Sequence, residues 1–249
     1  IKTISALGCY ASVAITAVTA QNTLGVRSIC KVTPGVVADQ IAAVIDDLHP
    51  QAIKVGMVND AETIRAIATT IRRYPLPPMI IDPVMVSTSG SRLMEPDALS
   101  LFQATLLPLS SLLTPNIPEA ELLAGRSIHG LEDMKAAARQ ILQMGPKAVL
   151  VKGGHGQGRE KTDLLLIDGS FHTFSSATIS TRNTHGTGCT LSSAIASFVA
   201  RGQGICEAVA SAKAYLYEAL RAGADVSVGE GHGPVNHFYD PQPLILTEQ

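Results

Sequence analysis

Residues Asn183-Thr184-His185-Gly186-Thr187-Gly188-Cys189 stand directly before the apolar-periodic run Leu-Ser-Ser-Ala-Ile-Ala-Ser-Phe-Val-Ala. Two glycines let the backbone turn sharply and approach a ligand closely. The residues after them start a helix, whose first N–H groups lack intrahelical partners and whose dipole favours an anion. A phosphoryl group developing charge beside Gly186, Thr187 and Gly188 would be stabilised there. Losing one donor of a comparable oxyanion hole costs on the order of 3–4 kcal/mol. Cys189 falls in the first turn of that helix, where the dipole favours negative charge on a side chain. The plainer reading is a glycine loop before a helix with a buried cysteine.

Four further groups could do chemistry. Asn116 and Glu119, in Thr114-Pro115-Asn116-Ile117-Pro118-Glu119, are three apart at a helix start and project from about the same face. They suit Mg²⁺ through bridging waters, or they form a capping box in which the Glu reaches back to the Asn. Lys152, at the end of a strand and before Gly153-Gly154-His155-Gly156, could meet a nucleotide phosphate as a point charge, or belong to an exposed turn. Asp82, before Pro83-Val84-Met85, could tune a metal or hold a water, or merely start a turn. Gln21, in Ala20-Gln21-Asn22-Thr23, offers one donor and one acceptor side by side. That pair matches a heteroaromatic ring with an amino group next to a ring nitrogen, as it matches adenine; a strand-end cap is the alternative. His129, His172, His232 and His237 are scattered without metal-ligand spacing and read as surface or packing residues. No GxGxxG follows the first strand, and neither a Walker A pattern nor a GxSxG elbow occurs, so a P-loop enzyme or α/β-hydrolase finds no support.

Short apolar runs alternating with amphipathic helices must position these groups. Strands are expected at Ala14–Ala20, Ala52–Val58, Met79–Asp82, Leu109–Thr114 and Ala148–Lys152. A hairpin is expected over Asp163–Ile167 and Phe171–Phe174, turned by Asp168-Gly169. Helices are expected over Asp39–Leu48, from Asn59 or Asp60 to Arg73, Glu95–Leu106, Ile117–Ala124, Leu131–Met144, Thr187–Arg201 and Ile205–Ala222. At the start, Ile1, Ile4, Leu7 and Cys9 fit one helical face with no capping residue before them. Val86–Arg92 has the composition of a lid. The alternation predicts one α/β domain over residues 1–249: a mostly parallel sheet covered by helices, with an antiparallel hairpin added. Ligands of such sheets sit beyond the carboxyl ends of the strands, where most of the polar signals fall.

Composition agrees with an enzyme of this class. The chain has 249 residues, 46% of them apolar and 16% charged, which excludes disorder. Its net charge of −2 argues against a nucleic-acid or anionic-membrane partner. No run approaches the roughly 18 apolar residues of a membrane span, and no signal peptide opens the chain. The four cysteines, Cys9, Cys30, Cys189 and Cys206, show no CxxC spacing. A reduced, cytoplasmic setting is expected.

Eight segments in order, IKTISALG, TAVTAQNT, IKVGM, DPVM, LLTPNIPEAELL, VKGGH, NTHGTGCTLSSAIA and GHGPVNHF, cover nearly the whole chain. Together they resemble the hydroxymethylpyrimidine and hydroxymethylpyrimidine-phosphate kinases of thiamine biosynthesis, in the ribokinase-like superfamily. Pyridoxine and pyridoxal kinases are the nearest branch; GHGPVNHF, and Cys189 where most of the superfamily has Asp, favour the pyrimidine branch. The resemblance implies a central, mostly parallel sheet with helices on both faces. It implies phosphoryl transfer from MgATP to the hydroxymethyl group and then to the monophosphate, by a homodimer acting on small molecules. Gln21 would read the aminopyrimidine edge, and Gly56, Met57 and Val84 would line the ring pocket. Asp82, Asn116 and Glu119 would serve the metal and phosphates. Lys152 would lie on the ATP side, with Lys213 a second candidate there. Gly186, Thr187 and Gly188 would form the anion hole, with Cys189 the base. The family's opening strand and Gly/Ser-rich segment, which would precede Ile1, are expected to have been cut or left out. A pyridoxal kinase and a non-catalytic pyrimidine-binding module are the competing readings.

Overall fold

Most apolar runs in the sequence stop at Gly, Pro or Asp. The computed structural model, which describes residues 1–58, 60–85, 94–154 and 158–245, turns those stops into element ends. Residue contacts group into two compact units, Ile1–Gln51 with Ile179–Gln249, and Ala52–Thr178. The first opens with α1 (Lys2–Ala6). It buries Thr3 and Ala6, followed by Leu7, while Ile1 is exposed, so the expected Ile1–Ile4–Leu7–Cys9 face is corrected. A helix this short cannot let a 3.6-residue period choose its face.

The strand expected over Ala14–Ala20 is β1 (Ala17–Asn22), with Gln21 inside it rather than after it. It pairs antiparallel with β2 (Gly25–Lys31) in a separate two-stranded sheet. The sequence reading omits β2, because almost every residue of it is exposed and no alternation marks a buried face. Between the strands, Asn22 Oδ1 accepts the Leu24 N–H at 2.9 Å, a local Asx turn. Helix α2 (Pro34–Leu48) starts at Pro34 rather than Asp39. A proline at the first helical position loses no hydrogen bond there.

In the second unit, β3 (Ile53–Val55), β4 (Met79–Ile81), β5 (Leu112–Leu113) and β6 (Ala148–Val151) are parallel neighbours in that order. Helices α3 (Ala61–Ile71), α4 (Pro96–Thr105), α5 (Ile117–Ala124) and α6 (Leu131–Leu142) supply the crossovers. Asp60 caps α3 by accepting the Thr63 N–H at 2.9 Å. Every residue of β4 and β6 is buried, so the sheet is covered on both faces. β7 (Glu160–Ile167) and β8 (Ser170–Ala177) continue the sheet antiparallel from β6. Asp168 and Gly169 both take positive φ, 48° and 74°, as a type I′ turn requires. The hairpin is longer than expected. Its outer pairs are polar and exposed, such as Thr162 and Ser175, whose hydroxyls hydrogen-bond at 2.7 Å. β5 is shorter than Leu109–Thr114, because Leu107–Leu109 wind into a 3₁₀ turn around Pro108. The lid-like stretch Val86–Arg92, Asn59, His155 and Gly156 lie outside the described residues.

The first unit resumes with α7 (Thr187–Ala200) and α8 (Ile205–Gly223), which pack on each other. The segment after α8 is tied to them: Tyr215 donates its hydroxyl to the His237 carbonyl at 2.7 Å. Among the described residues, no helix is long and apolar enough to cross a membrane.

Leu150 of β6 is wholly buried. Leu150→Ala should lower unfolding free energy by about 2–5 kcal/mol, read as a lowered urea midpoint. A loss under about 0.5 kcal/mol would contradict its place in the core.

Candidate active site

Parallel strands end on the same side of a sheet, so their following residues gather there. In the second unit these are Gly56 and Met57 after β3, Asp82 to Met85 after β4, Thr114 to Asn116 after β5, and Lys152 after β6. Lys152 N–H donates to the Pro115 carbonyl at 2.8 Å, and Asn116 and Lys152 form a parallel bridge. The Lys152 ammonium lies 2.6 Å from Asp82 Oδ1, both side chains being nearly buried. Thr114 Oγ1 donates to that same oxygen at 3.3 Å. Val84 follows, its N–H turned back to the Asp82 carbonyl at 2.9 Å.

Asn116 and Glu119 make the capping box of α5. Asn116 Oδ1 accepts the Glu119 N–H at 2.9 Å, and Glu119 Oε2 accepts the Asn116 N–H at 2.8 Å. Glu119 is 4% exposed. Burial pushes its carboxyl up to about 7 from 4.5, and the Asp82 charge adds to the rise. The Lys152 ammonium and the N–H groups of Asn116 and Met85 oppose it. Capping and ligand chemistry therefore draw on the same carboxylate, which is why the two readings of Asn116 and Glu119 could not be separated by spacing.

Asp82 and Glu119 are hard oxygen donors. No cluster of three or more His, Cys, Asp or Glu that could hold a metal occurs among the described residues. Two carboxylates fit Mg²⁺, which keeps several waters and takes its remaining ligands from substrate phosphates. Gly56 also lies close to a charge: a Cβ there would stand 2.6 Å from Lys54 Nζ.

The first unit carries the residues expected to form an anion hole. Gly186 caps α7 with φ 77°, a left-handed conformation suited to glycine. No side chain caps this helix. The Thr187 N–H reaches the Thr184 carbonyl at 3.3 Å, while the N–H groups of Gly188 and Cys189 have no partner among the described residues. Cys189 is exposed, which corrects the reading of a buried cysteine. Gln21 is exposed on β1 beside a register shift, 3.4 Å from Thr19 Oγ1. Lys213 is half-buried on α8.

Some partners were not singled out by motif. Thr114 holds Asp82, and Asp163 Oδ1 accepts the Gly153 N–H at 2.8 Å where a Cβ on Gly153 would meet the Thr162 carbonyl at 1.9 Å. Thr190 Oγ1 lies 3.3 Å from His237 Nε2. A strand-end Thr beside an Asp-Pro, or a Gly pair after a strand, is the signal that could have found the first two.

The fold is that of the ribokinase-like kinases, as its structural neighbours show. The chain is similar to two solved kinase structures. One is phosphomethylpyrimidine kinase from Clostridium difficile, with a TM-score of 0.79 and 43% identity, over 88% of this chain and 90% of that one. The other is pyridoxal kinase from Staphylococcus aureus in complex with AMP-PCP and pyridoxal, with a TM-score of 0.86 and 29% identity, over 95% of this chain and 86% of that one. Hydroxymethylpyrimidine/phosphomethylpyrimidine kinase of Rhizobium meliloti is 48% identical over 96% of this chain and 90% of its own length. The phosphomethylpyrimidine kinase family model matches residues 1–236, and the chain belongs to that family.

The raised Glu119 carboxyl makes stability pH-dependent. Its contribution is fully present below 4.5 and is lost as pH rises through about 7, because the folded chain holds the proton longer than the unfolded one. Glu119→Gln keeps an acceptor for the Asn116 N–H but cannot titrate. In metal-free buffer its urea midpoint should fall less than that of the wild type across this window. Parallel midpoint curves would show that the carboxyl is not raised.

Proposed function

We propose that this chain transfers the γ-phosphoryl group of ATP to 4-amino-5-hydroxymethyl-2-methylpyrimidine, and then to its monophosphate, giving the pyrimidine diphosphate for thiamine biosynthesis. The observation that carries this reading is the glycine-capped start of α7, where backbone N–H groups face outward beside an exposed Cys189. The names of the relatives supply the substrate class. Residues 1–249 act as one catalytic domain, as a cytoplasmic homodimer with small-molecule substrates only; light scattering on the purified chain tests the dimer.

Phosphoryl transfer has a loose transition state, so positioning and charge stabilisation do most of the work. Cys189 acts as the base that takes the hydroxymethyl proton. The freed oxygen bonds to the γ-phosphorus as the bond to the β-phosphate bridging oxygen breaks, and ADP leaves with that electron pair. The amides of Gly186, Thr187 and Gly188 hold the phosphoryl oxygens meanwhile. Asp82 and Glu119 would hold Mg²⁺ through water, with Asn116 nearby. The ion would neutralise phosphate charge when bound. Lys152 and Lys213 supply positive charge for the nucleotide phosphates. Gln21 pairs with the amino group and neighbouring ring nitrogen, and Gly56, Met57 and Val84 line the ring.

ADP release with MgATP should be seen with hydroxymethylpyrimidine. Cys189→Ala should lower kcat about 10²–10⁴-fold with ATP affinity little changed; near-normal turnover would remove Cys189 as base. Pyridoxal phosphorylation is the second reading, favoured by the higher TM-score to pyridoxal kinase, 0.86. Gln21→Ala should weaken turnover of the aminopyrimidine more than that of pyridoxal. An equal loss with both substrates would remove ring recognition from Gln21.

A further inference from the structure

The backbone enters the Gly186–Gly188 turn through Asn183, a side chain only 2% exposed. Its Nδ2 donates to the carbonyls of Gly223 and Val226, both at 2.7 Å, and lies 3.4 Å from that of Ala224. These are carbonyls at and just beyond the C-terminus of α8, where helical acceptors lack intrahelical donors. Thr181 joins the same joint, donating its hydroxyl to the Ala224 carbonyl at 3.0 Å and accepting the Asn183 N–H at 3.0 Å.

The amide can face only one way. With Oδ1 in place of Nδ2, an acceptor would confront three carbonyl oxygens. Oδ1 consequently points away and has no hydrogen-bond partner among the described residues. It points at Gly233, where a Cβ would stand 2.1 Å from it. Gly233 in turn accepts the His185 N–H at 3.0 Å, and His185 bridges to Pro234. The two residues between Asn183 and Gly186 are thus tied on one side to the end of α8 and on the other to Gly233.

We propose that Asn183 is a positioning residue for phosphoryl transfer: its amide fastens the run into the Gly186–Gly188 turn to the end of α8, and Gly233 must lack a side chain for Asn183 to sit there. The proposal rests on the kinase reading above. An orphaned buried acceptor is costly. It is kept here because turning the amide would set that oxygen against three carbonyls, strip the donor from the end of α8 and release the turn. Asn183 touches no reacting atom in this account. It acts by holding the turn from Gly186 to Gly188 and its N–H groups in one direction, and preorganised donors lose their effect when free to swing.

Asn183→Ala, Gly233→Ala and the double variant test this in the full chain by amide hydrogen exchange and steady-state kinetics. In Asn183→Ala, exchange at the hydrogen-bonded amides of Thr184, His185 and Thr187 should speed up at least about tenfold while Leu191–Ala200 stay as in the wild type. Turnover of hydroxymethylpyrimidine should fall about 10–100-fold with its KM changed less than about twofold. Gly233→Ala, which keeps the amide but crowds it, should act in the same direction and carries the test if Asn183→Ala does not fold. Once Asn183 is gone the crowding has no target, so the double variant should match Asn183→Ala within about twofold. Wild-type exchange at Thr184, His185 and Thr187 in the folded variants, or full multiplicative loss in the double variant, would overturn the proposal. Absence of ADP formation by the wild type would overturn the kinase reading instead, with the exchange rates still deciding the role of Asn183.

Discussion

Asp82 and Lys152 come from strands seventy residues apart and meet at 2.6 Å with little solvent on either side chain. A buried ammonium or a buried carboxylate alone would be strongly unfavourable. The ends of β4 and β6 must therefore come together with β5 between them, and the neighbouring chemistry follows from that. Thr114 at the end of β5 turns its hydroxyl onto the shared Asp82 oxygen. Asn116 bridges to Lys152, so α5 starts next to the pair, and Glu119 enters a space already holding both charges. Burial in that space is the main cause of its raised carboxyl, with Lys152 opposing the rise and Asp82 adding to it.

The other unit depends on a different economy of backbone groups. Helix α5 satisfies its first turn reciprocally, by Asn116 and Glu119. Helix α7 has glycine at the same place and no capping side chain. The first arrangement closes a helix start; the second leaves donors pointing outward. An open helix start would be wasted if the turn before it wandered. The amide of Asn183, the bond from His185 to Gly233 and the absent side chain at Gly233 all restrain that turn. The glycines of this region thus serve two ends: Gly186 adopts a conformation open to few residues, and Gly233 makes room.

Elements with a buried stripe or a specific local stop were legible from the residues. Helix α5 runs over Ile117–Ala124 as expected, because Asn-x-x-Glu marks its start and Gly125 its end. Asp168-Gly169 turns the hairpin for the reason its residue types predict. Strand β2 was not legible, since a solvated strand carries no alternation. Helix α2 was placed late, because Pro34 and the turn after it lie ahead of the apolar stripe that announces the helix. Among the proposed site residues, Cys189, Gly186, Asp82, Lys152, Asn116 and Glu119 were legible as chemistry-bearing types at element ends.

The alternation of strands and helices in the second unit, the glycine-led start of α7 and the capping potential of Asn116 and Glu119 follow from sequence alone. Each depends on residues within a few positions of one another, where spacing sets geometry. Tertiary structure alone decided that Lys152 pairs with Asp82, that Glu119 is buried so that its carboxyl is raised, and that Asn183 reaches the end of α8. Those facts join residues tens of positions apart. Their energies come from burial and from the mutual arrangement of distant dipoles and charges, which local spacing does not encode.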